Sequence, residues 1–115
     1  MIQSRRFLLP NEVVQASQEV YNSKLMEFEW NPTKASANKL KHGVSFGEAT
    51  TVFGDPLSIT YADPDHSEDE YRFLTFGVSR KGRLLVVSHA NRQDRVRIIN
   101  VREVTPNERK IYEEG

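Results

Sequence analysis

Alternating apolar and polar residues mark the strands of this chain. The segment "MEFEW" (26–30) alternates in this way and predicts a half-buried strand with its apolar residues toward a core. Four further apolar stretches, bounded by turn residues, predict strands over 57–62, 71–79, 83–90 and 95–101. The last three are separated only by "RKG" and "NRQD", which are short enough for hairpins. Because hairpins join antiparallel strands, the pattern predicts an antiparallel sheet of about four to five strands.

A helix is expected directly after the first predicted strand. Asn31 stands before a proline, which fits an N-cap followed by proline at the first helical position. The helix is predicted to run to about His42, with Ala37 and Leu40 on its buried face. Gly43 supplies a left-handed stop.

Two more helices are indicated by capping boxes, in which a hydroxyl side chain is followed three residues later by glutamate. Ser45 and Glu48 form the first box and predict a short helix that ends at Gly54. Thr105 and Glu108 form the second box and predict a short C-terminal helix.

The order of these elements predicts an α+β domain over residues 26–115, with helices packed on one face of the antiparallel sheet. Upstream, a proline precedes residues 11–24, where valines, alanine and tyrosine recur at helical spacing. Residues 1–25 are therefore predicted to be an N-terminal extension that is helical.

Composition excludes several classes of site. The 115 residues contain no cysteine, so disulfides, thiolate catalysis and cysteine-ligated zinc are excluded. No apolar run is long enough for a membrane span, and no targeting segment is visible, so we expect no membrane association and a cytoplasmic location. No cofactor is expected.

The net charge is zero, but the charges are segregated along the chain. Residues 54–71 contain six acids and neither lysine nor arginine, whereas residues 72–110 contain ten basic residues and three acids. Such a basic half can present a face that attracts phosphate, or its charges can be solvated turn and strand residues without a ligand.

The strand "RVRIINVR" carries the most informative arginines. Side chains alternate along a strand, so Arg95 and Arg97 share one face and can hold a phosphodiester through bidentate guanidinium contacts. Arg102 falls on the other parity in a regular strand, although it stands at the strand end, where the path can turn. The alternative is that these arginines only keep an exposed sheet face soluble.

For Arg72 and for two histidines, the sequence allows both a structural and a functional interpretation. Arg72 either pairs with Glu70 on one strand face or opens the positive site. His42 points away from Leu40 at the end of its helix, where it can complement the helix dipole or transfer protons. His89 ends a strand and is either a hydrogen-bonded core histidine or a residue at the rim of a site.

The acidic segment "DPDHSEDEY" resembles the start of a calcium loop. Asp63, Asp65, Ser67 and Asp69 recur at a spacing of two. A calcium loop needs glycine at its sixth position and a carboxylate at its twelfth, and the sequence supplies neither. We therefore expect no metal site, and we interpret the segment as a solvated loop or a docking surface for a basic partner.

Three motifs make residues 26–115 similar to the BrnT family of toxins from bacterial toxin–antitoxin pairs. They are K-H-G-V-x-F from Lys41, R-x-L-x-x-G from Arg72 and R-x-x-T-x-x-E-R from Arg102. The resemblance implies a RelE-like fold and a small ribonuclease that cleaves RNA and arrests translation. It also implies inhibition by a BrnA-like antitoxin, which would mediate any contact with DNA.

The resemblance and the charge pattern together give a set of candidate site residues. The resemblance maps the family pattern onto His42, Arg72, Arg102, Glu108 and Arg109, and the strand pattern adds Arg97. We expect catalytic roles for His42, Arg72, Arg97, Arg102 and Glu108, and RNA contacts from Lys41, His89, Arg95 and Arg109. Metal-free RNA cleavage needs a base, an acid and positive charge at the phosphate. Because the sequence shows no decisive acid–base pair, a non-catalytic basic sheet that binds RNA or a protein remains the alternative.

Overall fold

The computed structural model describes residues 26–63 and 70–115 of the chain. Within these residues the chain forms five strands and three helices, which confirms the predicted α+β class. In chain order they are β1 (Glu27–Glu29), α1 (Pro32–His42), α2 (Phe46–Val52), β2 (Ile59–Ala62), β3 (Arg72–Val78), β4 (Leu84–Arg92), β5 (Arg95–Glu103) and α3 (Pro106–Glu114). The helix predicted over 11–24 lies outside the described residues.

The five strands form one sheet in the order β1-β5-β4-β3-β2. The pairs β2–β3, β3–β4 and β4–β5 are antiparallel, and the last two are the pairs for which short connections predict hairpins. The edge strand β1 instead runs parallel to β5, so the prediction of an entirely antiparallel sheet is wrong. The hairpin argument does not apply to this pair, because nearly the whole domain separates the two strands in sequence.

The predicted helix starts are confirmed in detail. The Asn31 side chain accepts hydrogen bonds from two backbone N–H groups of α1, and Gly43 ends that helix at φ 72°. The Ser45 hydroxyl accepts from the backbone N–H of Glu48 at the start of α2. At α3, Thr105 and Glu108 form a complete capping box, which satisfies backbone groups that a helix end leaves open.

The main core lies between one face of the sheet and the helices α1 and α2. Successive residues of β4 alternate between the two faces, and Leu85 and Val87 belong to this core. They pack with residues of α2, β5 and the preceding turn, namely Val44, Phe46, Ala49, Val52, Val96, Ile98 and Val101. The sheet face that contacts α1 and α2 is called the helix face below.

A second, smaller core covers part of the opposite sheet face, which we call the open face. Ile59, Phe76 and Val86 form its centre, and Val104 and Tyr112 pack against them. Because Tyr112 belongs to α3, the prediction that all helices pack on one face is wrong. The Tyr112 hydroxyl donates a hydrogen bond of 2.7 Å to Asp55, which further anchors α3.

The buried face of α1 differs from the prediction. Ala37 and Leu40 are exposed, and the Leu40 side chain is 89% exposed. Asn38 is the buried residue instead, and its amide bonds both backbone groups of Val101 and the carbonyl of Val44. An asparagine therefore connects α1 to β5, because its side chain can satisfy backbone groups that apolar residues cannot.

No helix in residues 26–63 and 70–115 is long and apolar enough to cross a membrane.

Candidate functional site

A β-bulge in β5 determines which arginines share a face. Ser88 of β4 pairs with Asn100, whereas its neighbour His89 pairs with Ile98, so Ile99 is an extra residue on β5. The bulge shifts the alternation by one position. Arg97 and Arg102, five residues apart, consequently both lie on the open face, as Arg102 would not in a regular strand.

Arg72 joins this face from the neighbouring part of the sheet. Arg72 of β3 and Arg97 of β5 both pair with Ala90 of β4, one on each side. Their Cα atoms are therefore separated by two strand spacings, or about 10 Å. The next pair along the open face is Ser88 with Asn100, so the polar side chains of these two residues lie beside the two arginines.

Arg97 is held by a carboxylate from the start of the described segment 70–115. Its Nη2 atom donates a hydrogen bond to Glu70, and this contact lowers the pKa of the Glu70 carboxyl. The Arg97 Nε atom is buried and has no hydrogen-bond partner among the described residues. Glu70 is therefore ionised at neutral pH, and the Arg97 guanidinium retains an unsatisfied donor.

Arg102 lies farther along the open face, opposite Val86, at about 13 Å from Arg97 along the strand. Its two terminal nitrogens donate to the two Glu108 oxygens at 2.8 and 2.9 Å, a bidentate geometry. The Arg102 contact and the backbone N–H of Thr105 lower the Glu108 pKa to about 2. Glu108 therefore stays anionic and orients Arg102, and it has no proton to donate at neutral pH.

The two other predicted arginine contacts lie at the borders of this arrangement. Arg95 shares the open face with Arg97 at the opposite end of β5 and pairs with Glu27 and Glu29 of β1. Arg109 lies on the exposed surface of α3 and pairs with Glu113 one turn later, at 3.6 Å. Exposed pairs of this kind contribute little stability, so both arginines can exchange partners readily.

The K-H-G motif lies apart from the arginines. Lys41 and His42 occupy the last turn of α1, which packs on the helix face, whereas the three site arginines lie on the open face. His42 is half-buried and Lys41 is exposed. The structure therefore does not bring His42 together with Arg72 and Arg97.

His89 is a core residue rather than an exposed contact. Only 2% of it is exposed, and its ring lies between Phe53 and Phe73 at centroid distances of 4.9 and 5.8 Å. Its Nε2 is 2.7 Å from Thr75 Oγ1, and burial lowers its pKa to about 4. The expectation that His89 contacts RNA does not fit this placement, because its ring nitrogens face protein atoms.

Sequence reasoning missed one feature beside the arginines and one on the helix side of the sheet. Asn100 and Ser88 lie on the open face between Arg97 and Arg102. Asn100 belongs to this face only because of the bulge. Glu48, expected only as a helix-capping residue, is buried and accepts hydrogen bonds from Arg83 and Ser79. Arg83 also donates to the Gly43 carbonyl, so this ion pair connects the β3–β4 hairpin to the turn between α1 and α2.

The calcium-like segment yields no site in the described part. Of its spaced residues only Asp63 is described, while Asp65, Ser67 and Asp69 lie in 64–69, outside the described residues. Among residues 26–63 and 70–115, no three histidine or carboxylate side chains cluster closely enough to hold a metal ion.

Comparisons with known proteins identify a family. The model of the family "Ribonuclease toxin, BrnT, of type II toxin-antitoxin system" matches residues 30–108. The fold is similar to the crystal structure of the Brucella abortus ribonuclease toxin BrnT, with a TM-score of 0.53. That alignment covers 70% of this chain and 97% of the other at 18% identity, a level that concerns the fold alone. A search of curated proteins finds no match. Because the family model spans well over half of the chain and includes all three motifs except the final arginine, this chain belongs to the BrnT family of ribonuclease toxins from type II toxin–antitoxin systems.

Proposed function

We propose that this chain is a metal-independent endoribonuclease that cleaves RNA on the open face and thereby arrests translation. The observation that carries the proposal is the bulge at Ile99, which assigns Arg97 and Arg102 to the same sheet face as Arg72. Three guanidinium groups on one face can neutralise a phosphodiester and the additional charge of its pentacoordinate transition state. We also propose that residues 26–115 are the toxin domain and that residues 1–25 are an extension of it. The fold of the domain is proposed to be RelE-like.

The roles follow from the contacts of each side chain. Arg72 and Arg97 bind the phosphate, and Arg102 stabilises the charge that develops on the phosphorane oxygens. Glu108 is a positioning residue, because its bidentate contact fixes the orientation of the Arg102 guanidinium. Asn100 lies between these cations and can hydrogen-bond the ribose or a base edge.

The proposed reaction is attack of the ribose 2′-oxygen on the adjacent phosphorus. Glu70 accepts the 2′-hydroxyl proton, since its carboxylate is ionised next to Arg97. The phosphorus–O5′ bond breaks, and water protonates the departing 5′-oxygen. The products are a 2′,3′-cyclic phosphate and a 5′-hydroxyl end. The catalytic role expected for His42 is not part of this proposal, because His42 lies at the end of α1 on the other face of the sheet.

The partners of the proposed toxin follow from its family. We propose that a BrnA-like antitoxin binds the protein and suppresses cleavage, and that DNA is contacted only through that antitoxin. Because the proposed substrate is RNA that takes part in translation, we propose a cytoplasmic location.

A cleavage assay with matched arginine variants tests the proposal. Purified protein should cut single-stranded RNA in the presence of EDTA and leave 2′,3′-cyclic phosphate ends. We expect Arg97→Ala and Arg102→Ala to lower the cleavage rate by about 100-fold each, the usual cost of removing one transition-state donor. Arg80→Ala is the control, because Arg80 is an exposed arginine in the β3–β4 turn. Equal rates for folded Arg97→Ala, Arg102→Ala and Arg80→Ala proteins would exclude the open face as the active site.

A non-catalytic basic module is the second candidate function. The observation that favours it is that Arg95, Arg97 and Arg102 all pair with carboxylates of the same chain, while His89 is buried on the helix face. Such a face binds RNA through exchangeable ion pairs without an evident proton donor. Binding that weakens steeply with salt, combined with intact RNA after long incubation, would favour this function over cleavage.

A further inference from the structure

A row of four residues crosses the open face between the proposed phosphate-binding arginines and Arg102. Tyr61 of β2 pairs with Leu74 of β3. Leu74 pairs in turn with Ser88 of β4, and Ser88 pairs with Asn100 of β5. Because directly opposite residues of paired strands project from the same face, these four side chains form one line across the sheet, which we call the central row.

Larger groups border the central row on both sides. Arg72 and Arg97 lie one step along the strands, at about 7 Å from the row. On the other side, Phe76 and Val86 belong to the small core that Tyr112 of α3 covers. Long arginine side chains and a helix therefore flank the row, so its members form the floor between them.

The polar half of the central row has no partner within the protein. Ser88 is only 6% exposed. None of the hydrogen bonds within residues 26–63 and 70–115 involves the Ser88 hydroxyl or the Asn100 side-chain amide. Buried polar groups are normally hydrogen-bonded, and the Asn100 amide beside this hydroxyl is exposed. The hydroxyl and the amide together are therefore suited to a polar ligand that enters from solvent.

The other half of the central row is apolar and half-buried. Leu74 and Tyr61 both retain part of their surface to solvent. The Tyr61 ring is held in place by the Phe76 ring, which it meets nearly edge-on at 6.1 Å. A ligand that fits the whole row has an apolar face and a hydrogen-bonding edge. Nucleobases have this combination, and proteins bind unpaired bases through stacking and edge contacts.

We propose that the central row binds a purine base of the RNA substrate, next to the cleaved phosphate. The base lies on Leu74 and Tyr61 and extends over Ser88, so that its edge hydrogen-bonds Asn100. The Cα atoms of Leu74 and Asn100 are two strand spacings apart, about 10 Å, and a purine covers more of this span than a pyrimidine does. The inference rests on the proposed cleavage at the open face and adds the nucleotide that the site selects.

The amide of Asn100 determines which purines fit. It presents one donor and one acceptor side by side and can rotate to exchange them. Adenine and guanine each present one donor and one acceptor on neighbouring edge atoms, so the wild type accepts both. A carboxylate at this position only accepts hydrogen bonds. It would pair with the two neighbouring N–H donors of guanine, but it would face the ring-nitrogen acceptor of adenine.

Cleavage of a random-sequence RNA pool by the full-length chain, with sequencing of the ends at each cut, tests the proposal. The wild type should favour purines over pyrimidines by about 10-fold at one position beside the cut. Asn100→Asp should lower cutting beside adenine relative to guanine by about 10- to 100-fold. Ser88→Ala should reduce the purine preference by about threefold, because it removes one hydrogen bond to the base.

Matched variants separate base selection from other effects. Asn107→Asp introduces the same charge at an exposed position of α3 and should keep the wild-type preference. Arg97→Ala should lower the rate without changing the preference, because a phosphate contact is the same for every nucleotide. Tyr61→Phe retains the ring and should keep the preference, whereas Tyr61→Ser should slow cutting at purine sites by about 10-fold.

The outcomes distinguish the base site from the proposed function. Cleavage by the wild type without a preference, or with a pyrimidine preference, overturns the base site and leaves the endoribonuclease intact. An Asn100→Asp protein that cuts all sites more slowly, with an unchanged preference, assigns Asn100 to the ribose and also overturns the proposal.

Direct binding decides the question if the wild type or the Asn100→Asp protein does not cut RNA. Absence of cutting by the wild type would refute the endoribonuclease function but not the base site. Fluorescence anisotropy with adenine and cytosine RNA hexamers then measures base selection alone. About 10-fold tighter binding of the adenine hexamer, lost in Asn100→Asp and kept in Asn107→Asp, supports the base site. Equal affinities of the wild type for the two hexamers overturn it.

Discussion

Protonation of the buried His89 should destabilise the fold as the pH falls from 7.5 to 5.0. The His89 Nδ1 atom is 3.1 Å from the Asn91 Oδ1 acceptor, so Nδ1 carries the proton of the neutral ring. Its Nε2 then accepts from the Thr75 hydroxyl, and Thr75 in turn accepts from Thr60. A second ring proton would oppose the Thr75 contact in a site that excludes water.

The size of the effect follows from the pKa of His89. Burial lowers that pKa from 6.5 to about 4, so the unfolded chain binds the proton more tightly than the folded chain. The stabilising contribution is fully present above pH 6.5 and disappears as the pH falls toward 4. Between pH 7.5 and 5.0 the linkage relation gives a loss of about 2 kcal/mol in the free energy of unfolding.

The choice of pH 5.0 separates His89 from the carboxylates. Arg102 lowers the pKa of Glu108 to about 2, and Arg83 lowers that of Glu48, from the ordinary value of 4.5. Stability from a lowered carboxyl pKa is present above pH 4.5 and is lost only below it. These two carboxylates therefore contribute little to a difference measured between pH 7.5 and 5.0.

Urea denaturation of the wild type and a His89→Gln variant at both pH values measures the effect. The wild type should lose about 2 kcal/mol more than the variant, because glutamine hydrogen-bonds without titrating. A His42→Asn variant is the control and should retain the wild-type loss. The reasoning is refuted if wild type and His89→Gln lose the same amount, or if the His89 ring of the wild type titrates above pH 6 by NMR.

Two stability predictions test the packing that supports the site. Asn38→Ala should lower the free energy of unfolding by about 2–4 kcal/mol, because the carbonyl of Val44 and both backbone groups of Val101 lose their buried hydrogen-bond partner. The control Ser36→Ala, at an exposed position of the same helix, should change little in the same urea titration. Gly77→Ala should cost about 1–3 kcal/mol, because a Cβ there lies 2.8 Å from Val52 Cγ1 and 3.2 Å from the Val52 carbonyl. A Cβ at Gly47 meets only the Ser45 Oγ at 3.8 Å, an ordinary van der Waals contact, so Gly47→Ala should be neutral or stabilising. Equal melting temperatures of the two alanine variants would contradict the packing argument.

Local signals in the sequence were sufficient to predict most elements. Asn31, Gly43 and Thr105 delimit helices through hydrogen bonds or a backbone conformation that neighbouring residues determine. Strand alternation likewise predicted the five strands, with end positions that differ by a few residues from those of the structure. These features depend on residues that lie only a few positions apart, so a local stretch of the sequence is sufficient to predict them.

Features that depend on distant residues were predicted less well. The parallel pairing of β1 with β5 brings Glu27 beside Arg95, and no local pattern encodes that neighbour. Asn38 is buried because backbone groups of Val101 need partners, a requirement that arises only when β5 is placed under α1. The sequence analysis assigned Leu40 to the core because it is hydrophobic, but the polar contacts of Asn38 determine which side of α1 faces the sheet, and Leu40 is exposed.

The candidate site shows how one local irregularity links core packing to charge placement. In a regular β5, the parity that buries Val96 and Ile98 would expose Val101 and turn Arg102 toward the helix face. The extra residue Ile99 removes this conflict, so that Val101 is fully buried and Arg102 reaches the open face. The sequence contains the signal, because apolar residues recur at a spacing of two and then of three. The core requirement of Val101 therefore fixes where the third guanidinium of the proposed active site lies.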